Sequence, residues 1–508
     1  MVTVEHNDLA VSLATIADRI EPIVTLGDPT GVAISGVVYR DSAVEAGSLY
    51  CCLPGQIVDG HTFAGKARRA GASAFICEHS LSDLDPGAIQ LVVGPGEARR
   101  AMALAACAFY GDPASALQTV GVTGTNGKTT TTFLIRAILE EHGWTTGVVG
   151  TLDGARTTPE APELQRALAG FRDRGASAAA LEVTSHALVQ GRVDGIHFDV
   201  AVFTNLSQDH LDFHHTMDAY FAAKSILFTP ERATCAVVNL DDPYGRRLAE
   251  RQLVETVTYS IADAVGLELG STSSRFRLAG RPVELHLGGE FNVANALAAA
   301  AAARALGVDE DTIVRGLEVA RGVPGRFETI ESFDGVTVVV DYAHTPAALD
   351  NVLRSARLAL EATASRSTRN SARAPRVHVV FGAGGDRDRG KRPGMGAIAT
   401  RLSDVVVVTS DNPRSEDPAA IADQVVAGMR DTTNWRIELD RRAAIASTLA
   451  GARSGDVVVI AGRGHETTQQ FADSTVHFDD RTVVREELER QGRALPNWAR
   501  PVEGERAR

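Results

Sequence analysis

The sequence predicts an α/β protein of three domains built around parallel β-sheets. At 508 residues the chain is longer than one hydrophobic core usually organises. Short valine-rich apolar runs alternate with segments whose apolar residues recur at helical spacing. Continuous apolar strands separated by helices are typical of parallel sheets covered on both faces. We place the domains at residues 1–111, 112–324 and 325–508, with breaks at Asp112-Pro113 and near Pro324-Gly325.

The composition excludes several classes of function. A hydrophobic content of 44% and a charged content of 23% are ordinary for a globular protein. The net charge of −13 argues against a nucleic-acid partner, because such proteins present a basic face. No apolar run reaches the roughly 20 residues of a membrane span, and the N-terminus lacks the features of a signal peptide. We therefore expect a cytoplasmic monomer with no membrane partner.

Residues 123–130 carry the most informative motif, Thr-Gly-Thr-Asn-Gly-Lys-Thr-Thr. An apolar run precedes it and a helical pattern follows it, so loop N–H groups and a helix N-terminus would face a phosphate. Lys128 adds a positive charge, and the Thr129 hydroxyl can ligate Mg²⁺. The general pattern has glycine where this chain has Val122, so the loop is a variant. The sequence thus predicts a P-loop ATPase-like central domain that binds ATP through Gly124, Thr125, Asn126, Gly127, Lys128, Thr129 and Thr130.

Lysine is rare in this chain, which has 47 arginines and four lysines, Lys66, Lys128, Lys224 and Lys391. The lysines outside the phosphate loop become candidates for chemistry that a guanidinium cannot do, such as acting as a deprotonatable amine. Lys224 lies inside a predicted amphipathic helix at residues 219–228, where a surface lysine is the alternative interpretation.

Two further segments of the central domain carry potential metal ligands. Glu182 ends an apolar strand, the position at which P-loop proteins place a Mg²⁺-binding acid. Residues 207–215 read Ser-Gln-Asp-His-Leu-Asp-Phe-His-His. Their spacing does not suit a standard zinc site, so we favour a loop with one functional histidine over a three-histidine zinc centre.

The C-terminal region contains four clear strands, and each runs into a polar or glycine-rich loop. We predict these strands at residues 336–340, 377–381, 405–408 and 457–460. In open parallel sheets, ligands bind at the carboxyl ends of the strands, where all four loops emerge. The pattern predicts a Rossmann-like domain with a ligand site at that edge.

The motifs, in chain order over about residues 30 to 485, resemble those of the Mur ligases, ATP-dependent amide-forming enzymes of peptidoglycan precursor synthesis. The resemblance rests on residues 124–129, 182–186, 205–210, 220–224, 291–295, 324–328 and 341–346. Gly385-Asp-Arg-Asp388, Asp411-Asn-Pro-Arg414 and Gly462-Arg-Gly-His-Glu466 are similar to the members that add the third residue to UDP-N-acetylmuramoyl-L-alanyl-D-glutamate.

The resemblance implies that ATP converts a carboxylate into an acyl phosphate, which an amine then attacks. It implies catalytic roles for Lys128, Glu182, His210, Lys224 and Arg326. One Mg²⁺ would be held by Thr129 and Glu182, and a second by Glu182 and His210. Lys224 would be carbamylated by CO₂, which turns an amine into a carboxylate-like group. The remaining ATP contacts would be adenine at Asn295, ribose at Asp341 and phosphate at Arg326.

The resemblance also implies two further substrate sites. The UDP-sugar dipeptide would contact Ser42, Thr157, Thr158, Thr184, Gln190 and Arg192. The diamino acid would contact Arg387, Asp411, Asn412, Pro413, Arg414, Gly462 and Glu466. Asp411-Asn-Pro-Arg414 is associated with members that add meso-diaminopimelate, whose second carboxylate an arginine can pair bidentately.

Three other classes of protein are alternatives to this interpretation. A lysine-adding ligase is a close rival, and a folylpolyglutamate synthase shares the phosphate loop but is not expected to carry Asp411-Asn-Pro-Arg414. A P-loop GTPase would need a guanine-selecting Asn-Lys-x-Asp, and none of the four lysines follows an asparagine.

Overall fold

The structure, a computed structural model, describes residues 10–55, 58–152, 156–270, 272–333, 335–366, 373–430 and 434–492. The described residues confirm the predicted α/β class. The first region contains β1 (Val11–Ser12), α1 (Leu13–Ile20), β2 (Val24–Leu26), β3 (Ala33–Ile34), β4 (Gly36–Val38), β5 (Ser48–Cys51), α2 (Ala64–Ala70), β6 (Ala74–Cys77), β7 (Ile89–Val92) and α3 (Ala98–Tyr110).

A mostly parallel sheet organises this first region, with strand order β2-β7-β6-β5-β4. The residue pattern predicts a helix at residues 64–70 and a strand at residues 74–77, and α2 and β6 have these bounds. It also predicts a single strand at residues 34–39, which the structure divides into β3 and β4. It divides because β3 pairs with β1 while β4 pairs with β5, and the Ser35 N–H between them donates to the Gly47 carbonyl.

The central region follows at residue 118. Its elements are β8 (Gln118–Thr123), α4 (Lys128–Glu141), β9 (Thr146–Val149), α5 (Ala161–Asp173), β10 (Ala178–Glu182), α6 (Ser185–Val189), β11 (Phe198–Phe203), α7 (Leu211–His214), α8 (Met217–Ser225), β12 (Ala233–Asn239), α9 (Pro243–Ala249), β13 (Glu255–Tyr259), β14 (Val265–Leu269), β15 (Ser274–Leu278), β16 (Arg281–Leu285), α10 (Glu290–Ala305) and α11 (Glu310–Val319).

The central sheet is parallel, with strand order β13-β12-β11-β8-β10-β9. Apolar side chains of α4, α10 and α11 pack on one face, and those of α5, α6 and α8 pack on the other. The phosphate-loop strand β8 lies between β11 and β10, so the loop after it is flanked by the loops after both neighbours. This strand order brings residues 124–130, 183–184 and 204–210 to one edge of the sheet.

Strands β14, β15 and β16 form an antiparallel sheet that was not predicted from the sequence. Phe276, Leu278, Val283 and Leu285 are buried in the same core as α10, while Arg275 and Arg277 are exposed. The alternation of apolar and charged residues from 275 to 278 was the available signal, since a half-buried strand has a period of two.

The C-terminal region contains β17 (Glu328–Phe333), β18 (Val336–Asp341), α12 (Pro346–Arg366), β19 (Val377–Phe381), α13 (Lys391–Leu402), β20 (Val405–Val408), α14 (Pro418–Val426), β21 (Trp435–Ile437), α15 (Arg441–Gly451), β22 (Val457–Ala461), β23 (Thr468–Gln470), β24 (Thr475–His477) and α16 (Asp480–Arg490). Strands β19 and β20 have the predicted bounds, and β18 and β22 each extend one residue further. The low-complexity composition of residues 361–374 predicts a solvated loop, but helix α12 continues into this segment as far as Arg366. Residues 367–372 lie outside the described part.

The C-terminal sheet has strand order β17-β18-β22-β19-β20-β21, antiparallel at β17 and otherwise parallel. The four strands expected from the sequence are adjacent in its centre, so their carboxyl ends meet at one edge, as predicted.

A buried ion pair connects two of these strand ends. The Arg441 guanidinium donates to both carboxylate oxygens of Asp480 at 2.7 Å, and both side chains are fully buried. Arg441 also donates to the Ala461 carbonyl at 3.1 Å and to the Ser410 carbonyl at 3.4 Å. The pair therefore holds the loops after β20 and β22 in position.

We predict that Arg441→Met destabilises the C-terminal region by about 3–5 kcal/mol, because it leaves the Asp480 carboxylate buried without a partner. The midpoint of urea-induced unfolding, followed by circular dichroism, measures this loss. Arg436→Met is the control, because Arg436 is exposed and donates only to the Ser447 hydroxyl in the hydrogen bonds described for its side chain. Equal midpoints for the two variants would contradict the role of the pair.

Candidate active site

One cavity with a volume of ≈ 1410 Å³ collects most of the predicted site residues. Its lining comes from the central and C-terminal regions; within residues 10–55 and 58–111, which the structure describes, no side chain lines it. The predicted residues that line it are Thr125, Asn126, Gly127, Lys128, Thr129, Thr130, Thr157, Thr158, Glu182, Thr184, Arg192, His210, Asn295, Arg326, Asp341, Arg387, Asp411, Asn412, Arg414, Gly462 and Glu466.

Five predicted residues lie outside this lining: Ser42, Gly124, Gln190, Lys224 and Pro413. Gly124, Lys224 and Pro413 lie behind residues that do line the cavity. Gln190 accepts a hydrogen bond from Arg192 at 2.6 Å and so supports a lining side chain. Ser42 is exposed, in a single-turn 3₁₀ helix at Asp41–Ala43.

The phosphate loop is held by close backbone approaches. Gly127 has a φ of +87°, and a Cβ there would lie 2.3 Å from Asn295 Oδ1. A Cβ on Gly124 would lie 1.9 Å from the Thr204 hydroxyl. Lys128 Nζ donates to the carbonyls of Gly124 and Thr125, both at 2.9 Å. A methyl group on either glycine would therefore collide with a neighbouring side chain, and Lys128 lies over its own loop.

Glu182, at the end of β10, is 1% exposed and lies beside the phosphate loop. One carboxylate oxygen accepts from the Thr129 hydroxyl at 3.0 Å, and the other accepts from the Thr151 N–H at 2.8 Å. A buried carboxylate next to a hydroxyl is the oxygen donor set that Mg²⁺ prefers. Thr129 and Glu182 thus fit a magnesium ion bound at this edge.

His210 has a φ of +55° and faces the cavity. Burial lowers its pKa to about 3, although the neighbouring Asp209 opposes the shift. The imidazole is therefore neutral near pH 7, the form that ligates metals. The His186 ring lies 4.9 Å away, centroid to centroid, and also lines the cavity.

The histidines of residues 210–215 do not converge on one point. His214 is buried and lies 2.9 Å from the Ser185 hydroxyl, while His215 is exposed. Among the described residues, the group with metal-ligand proximity is Asp59, His61 and His79, in the first region. The His61 ring is already occupied there, since Asp59 lies 2.6 Å from Nδ1 and the Glu78 N–H donates to Nε2. The interpretation with one functional histidine agrees with this geometry.

Lys224 lies beneath the phosphate loop and is 2% exposed. Its Nζ donates to the Gly124 carbonyl at 2.9 Å and lies 4.8 Å from the centre of the Tyr220 ring. Burial, with the nearby Lys128 charge adding to it, lowers the pKa of Lys224 well below its usual value. Within the described part of the chain, no carboxylate forms an ion pair with it. These surroundings therefore disfavour the protonated amine.

Arg326 connects the two regions across the cavity. Its guanidinium donates to the Thr129 hydroxyl at 3.1 Å and lies 4.3 Å from the centre of the Tyr342 ring. Asp341, at the end of β18, accepts from the Phe327 N–H at 2.6 Å and the Ala343 N–H at 2.7 Å. Burial raises the pKa of Asp341 to about 6, with Arg326 opposing the shift.

The loops after β19, β20 and β22 meet at the far side of the cavity. Arg414 donates to the Gly385 carbonyl at 2.7 Å, and Asn412 donates to Glu466 at 2.7 Å. Burial lowers the pKa of Arg414, and the adjacent Arg387 charge lowers it further. In the described residues neither arginine forms an ion pair with a carboxylate. Asp411, Glu466 and Asp386 act on Arg414 from beyond ion-pair distance and raise its pKa. Two neighbouring cations that have no ion-paired carboxylate favour an anionic ligand.

The β23–β24 hairpin also shapes this pocket, and it was not predicted from the sequence. Gln470 accepts from the Arg414 N–H at 3.1 Å and donates through its own N–H to the Asn412 side chain at 2.9 Å. Gln469 donates to the Asp411 carbonyl at 2.7 Å. The turn residues Asp473-Ser474 between two short polar segments were the available signal, but it was weak because the strands are mostly exposed.

The predicted UDP-sugar residues of the central region form one hydrogen-bonded group. Thr158 donates to the Glu182 carbonyl at 2.7 Å and accepts from the Thr184 N–H at 3.1 Å. Arg192 donates to the Thr158 carbonyl at 2.9 Å. The group therefore lies directly beside the predicted magnesium ligand.

None of the helices in the described part of the chain is long and apolar enough to cross a lipid bilayer.

Comparison with known proteins identifies the class. Family models described as the Mur ligase middle domain, the Mur ligase glutamate ligase domain and the Mur ligase family catalytic domain match residues 122–303, 325–464 and 33–128. The chain belongs to the Mur ligase family, as its motifs predicted.

Individual relatives are similar over nearly the whole chain. A UDP-N-acetylmuramoyl-L-alanyl-D-glutamate--2,6-diaminopimelate ligase of Halalkalibacterium halodurans is 43% identical over 89% of this chain and 94% of its own length. The ligase of the same name from Streptomyces avermitilis is 42% identical over 90% of this chain and 92% of its own length. A solved structure of a ligase with that name has a TM-score of 0.64 and 34% identity, and covers 96% of this chain and 100% of its own.

We predict that Gly127→Ala weakens ATP binding by at least about tenfold, because the new methyl group must displace the Asn295 side chain. Gly143→Ala is the matched control. Gly143 has a similar φ of +93°, but no atom lies within 4 Å of the place that its new methyl group would take, so it carries the backbone strain without the collision. Calorimetric titration with a non-hydrolysable ATP analogue and Mg²⁺ measures the difference. Similar affinities for both variants would exclude the packing argument.

Proposed function

We propose that the chain is an ATP-dependent ligase that joins meso-diaminopimelate to the D-glutamate γ-carboxylate of UDP-N-acetylmuramoyl-L-alanyl-D-glutamate. The observation that carries the proposal is the position of Arg387 and Arg414 in one cavity with the phosphate loop. Neither arginine forms an ion pair with a carboxylate in the described residues, and both line the same cavity as the ATP-binding loop. Relatives that are more than 40% identical bear the name of this reaction.

The reaction brings a carboxylate and a triphosphate together, so positive charge must offset two anions. The carboxylate oxygen attacks the γ-phosphorus, ADP leaves, and an acyl phosphate forms. Lys128 and Arg326 stabilise the charge on the transferring phosphoryl group from opposite sides. We assign Mg²⁺ to Thr129 and Glu182, and a second ion to Glu182 and His210; when bound, these ions offset the charge of the phosphates and the carboxylate.

In the proposed mechanism, Lys224 is carbamylated by CO₂ and thereby becomes negatively charged. Its neutral Nζ attacks CO₂, an N–C bond forms, and one proton leaves to solvent, so that a buried amine becomes an anion. The lowered pKa supports this role, because only the unprotonated amine reacts. Arginine does not readily supply such an amine, which accounts for lysine at this position in an arginine-rich chain.

The diamino acid then enters between the loops after β19, β20 and β22. Its amine attacks the acyl carbon, the C–O bond to phosphate breaks, and the amine proton leaves with phosphate or solvent. Arg414 and Arg387 pair with a carboxylate that lysine lacks, while Asn412 and Glu466 offer hydrogen-bond acceptors and negative charge to an ammonium group. This division of charge favours diaminopimelate over L-lysine.

We further propose that the domain breaks lie at 111/112 and 324/325, and that the enzyme acts in the cytoplasm as a monomer. The remaining UDP-sugar contacts, including Ser42, belong to this proposal as well.

The proposed function is tested by phosphate release from ATP with the UDP-muramoyl dipeptide and a panel of amino acids. We expect kcat/KM for meso-diaminopimelate to exceed that for L-lysine by about 100-fold or more, because lysine leaves the arginine pair unfilled. Equal turnover with L-lysine would overturn the diaminopimelate assignment. Phosphate release that does not require any diamino acid would overturn the ligase assignment.

We predict that Arg414→Lys raises the KM for meso-diaminopimelate by about tenfold to 100-fold, because an ammonium cannot pair with a carboxylate bidentately. The KM for ATP should stay unchanged. Arg401→Lys is the control for the same substitution at an exposed site, where Asp350 is the partner. An unchanged KM for diaminopimelate in Arg414→Lys contradicts the assigned pocket.

We predict that Lys224→Ala lowers kcat for ligation by at least about 100-fold, because a charge-stabilising group is lost. ATP should still bind, and added acetate or propionate should restore part of the rate by occupying the vacated space. Lys66→Ala is the control, since the Lys66 side chain is 64% exposed. Near-normal ligation by Lys224→Ala contradicts the carbamate role.

A further inference from the structure

Asp209 of the central region receives contacts from two separate loops of the C-terminal region. Its carboxylate is 4% exposed. Lys391 Nζ lies 3.3 Å from one carboxylate oxygen, and His344 Nε2 lies 3.8 Å from the other. The His344 ring is fixed by a 2.8 Å contact between its Nδ1 and the Tyr342 carbonyl. Within the central region, His210 Nε2 lies 3.4 Å from the carboxylate, and the His210 N–H donates to it at 3.0 Å. A single buried carboxylate is thus in contact with His210 and with residues that follow β18 and β19.

Local structure does not account for Lys391. It is the first residue of α13, where the helix dipole disfavours a cation. Its neighbours Arg389 and Arg392 both pair with Glu416 inside the C-terminal region, whereas Lys391 pairs across the cavity. Lys391 is also one of four lysines in a chain with 47 arginines. Lys391 therefore places a compact ammonium group where the dipole of α13 disfavours positive charge.

The two partners are close in sequence to residues with assigned roles. Asp209 precedes His210, and the Lys391 helix follows the loop that carries Arg387. The Lys391 side chain is 6% exposed, as is that of Asp209, so water screens the pair little. A rigid, buried contact between these two loops sets the distance between the acyl-phosphate half of the site and the amino-acid half.

We propose that the Asp209–Lys391 ion pair positions the amino-acid pocket for attack on the acyl phosphate, so that both are positioning residues for the amide-forming step. The inference deepens the proposed function and rests on it. Because a buried charge that loses its partner is costly, either single truncation should disturb the register of the two loops. Removing both charges should add little further loss, since residues in one ion pair are coupled.

The test uses the full-length enzyme as Lys391→Met, Asp209→Asn and the double variant. Each is assayed with meso-diaminopimelate and, separately, with hydroxylamine, a small nucleophile that traps the acyl phosphate without the amino-acid pocket. We expect diaminopimelate-dependent kcat to fall about 100-fold in each single variant, as expected for a misplaced reacting group. Hydroxylamine-dependent phosphate release should persist in Lys391→Met, which leaves the contact between Asp209 and His210 in place. The double variant should lose little more diaminopimelate-dependent turnover than the less active single variant.

Arg389→Met is the matched control, since Arg389 is in the same loop, has a 65% exposed side chain and pairs with Glu416. It should retain diaminopimelate-dependent turnover. Thermal unfolding checks that each variant is folded. If the first variants unfold, Lys391→Arg and Asp209→Glu replace them, because these substitutions keep both charges and change only the geometry of the pair. Diaminopimelate-dependent turnover should then fall in both variants, while hydroxylamine trapping persists.

Three results overturn the inference: losses that multiply in the double variant, parallel loss of hydroxylamine trapping in Lys391→Met, or unchanged turnover of diaminopimelate in the folded single variants. Failure of the proposed function is distinguishable from these. In that case the unmodified enzyme itself would release no phosphate in response to diaminopimelate.

Discussion

One electrostatic constraint governs the structure: the cavity has to accommodate two anionic substrate groups, a triphosphate and a carboxylate. The proposed reaction brings together a nucleoside triphosphate and a carboxylate, which repel each other, and the cavity collects cations from different elements that can offset their charge. Lys128 is at the start of α4, Arg326 precedes β17, and Arg387 and Arg414 follow β19 and β20. No single sheet edge could place these charges around a ligand from several sides. Two parallel sheets whose carboxyl ends face one cavity can do so.

Burial supplies the other half of the chemistry. The same apolar packing that encloses the phosphate loop lowers the pKa values of Lys224 and His210 and raises that of Asp341. Each shift follows from removing water around an ionisable group. The three shifts therefore arise from the surroundings of these groups and need no special residue types.

Much of the architecture followed from the sequence because apolar strands and glycine-rich loops are local signals. Strands β19 and β20 and helix α2 have the bounds predicted, and the predicted ATP-loop residues from Thr125 to Thr130 line the cavity. Other features were not predicted, because the residues that stabilise them are remote in sequence. The β14–β16 sheet is stabilised by burial against α10, and the β23–β24 hairpin by hydrogen bonds to Asn412 and Arg414. The division of β3 from β4 likewise depends on which strand each one pairs with.

The sequence by itself determined the class of this protein, because the order and spacing of the phosphate loop, Glu182, Lys224 and Asp411-Asn-Pro-Arg414 are properties of the chain. The resemblance to the Mur ligases also predicts the amino-acid pocket, on loops that each follow a recognisable strand. Only the tertiary structure decided which charges meet. It placed Lys224 beneath the loop rather than in the cavity, and it joined Lys391 to Asp209 across 182 positions. Contacts of this kind depend on how two sheets approach each other, and no local pattern of residues encodes that distance.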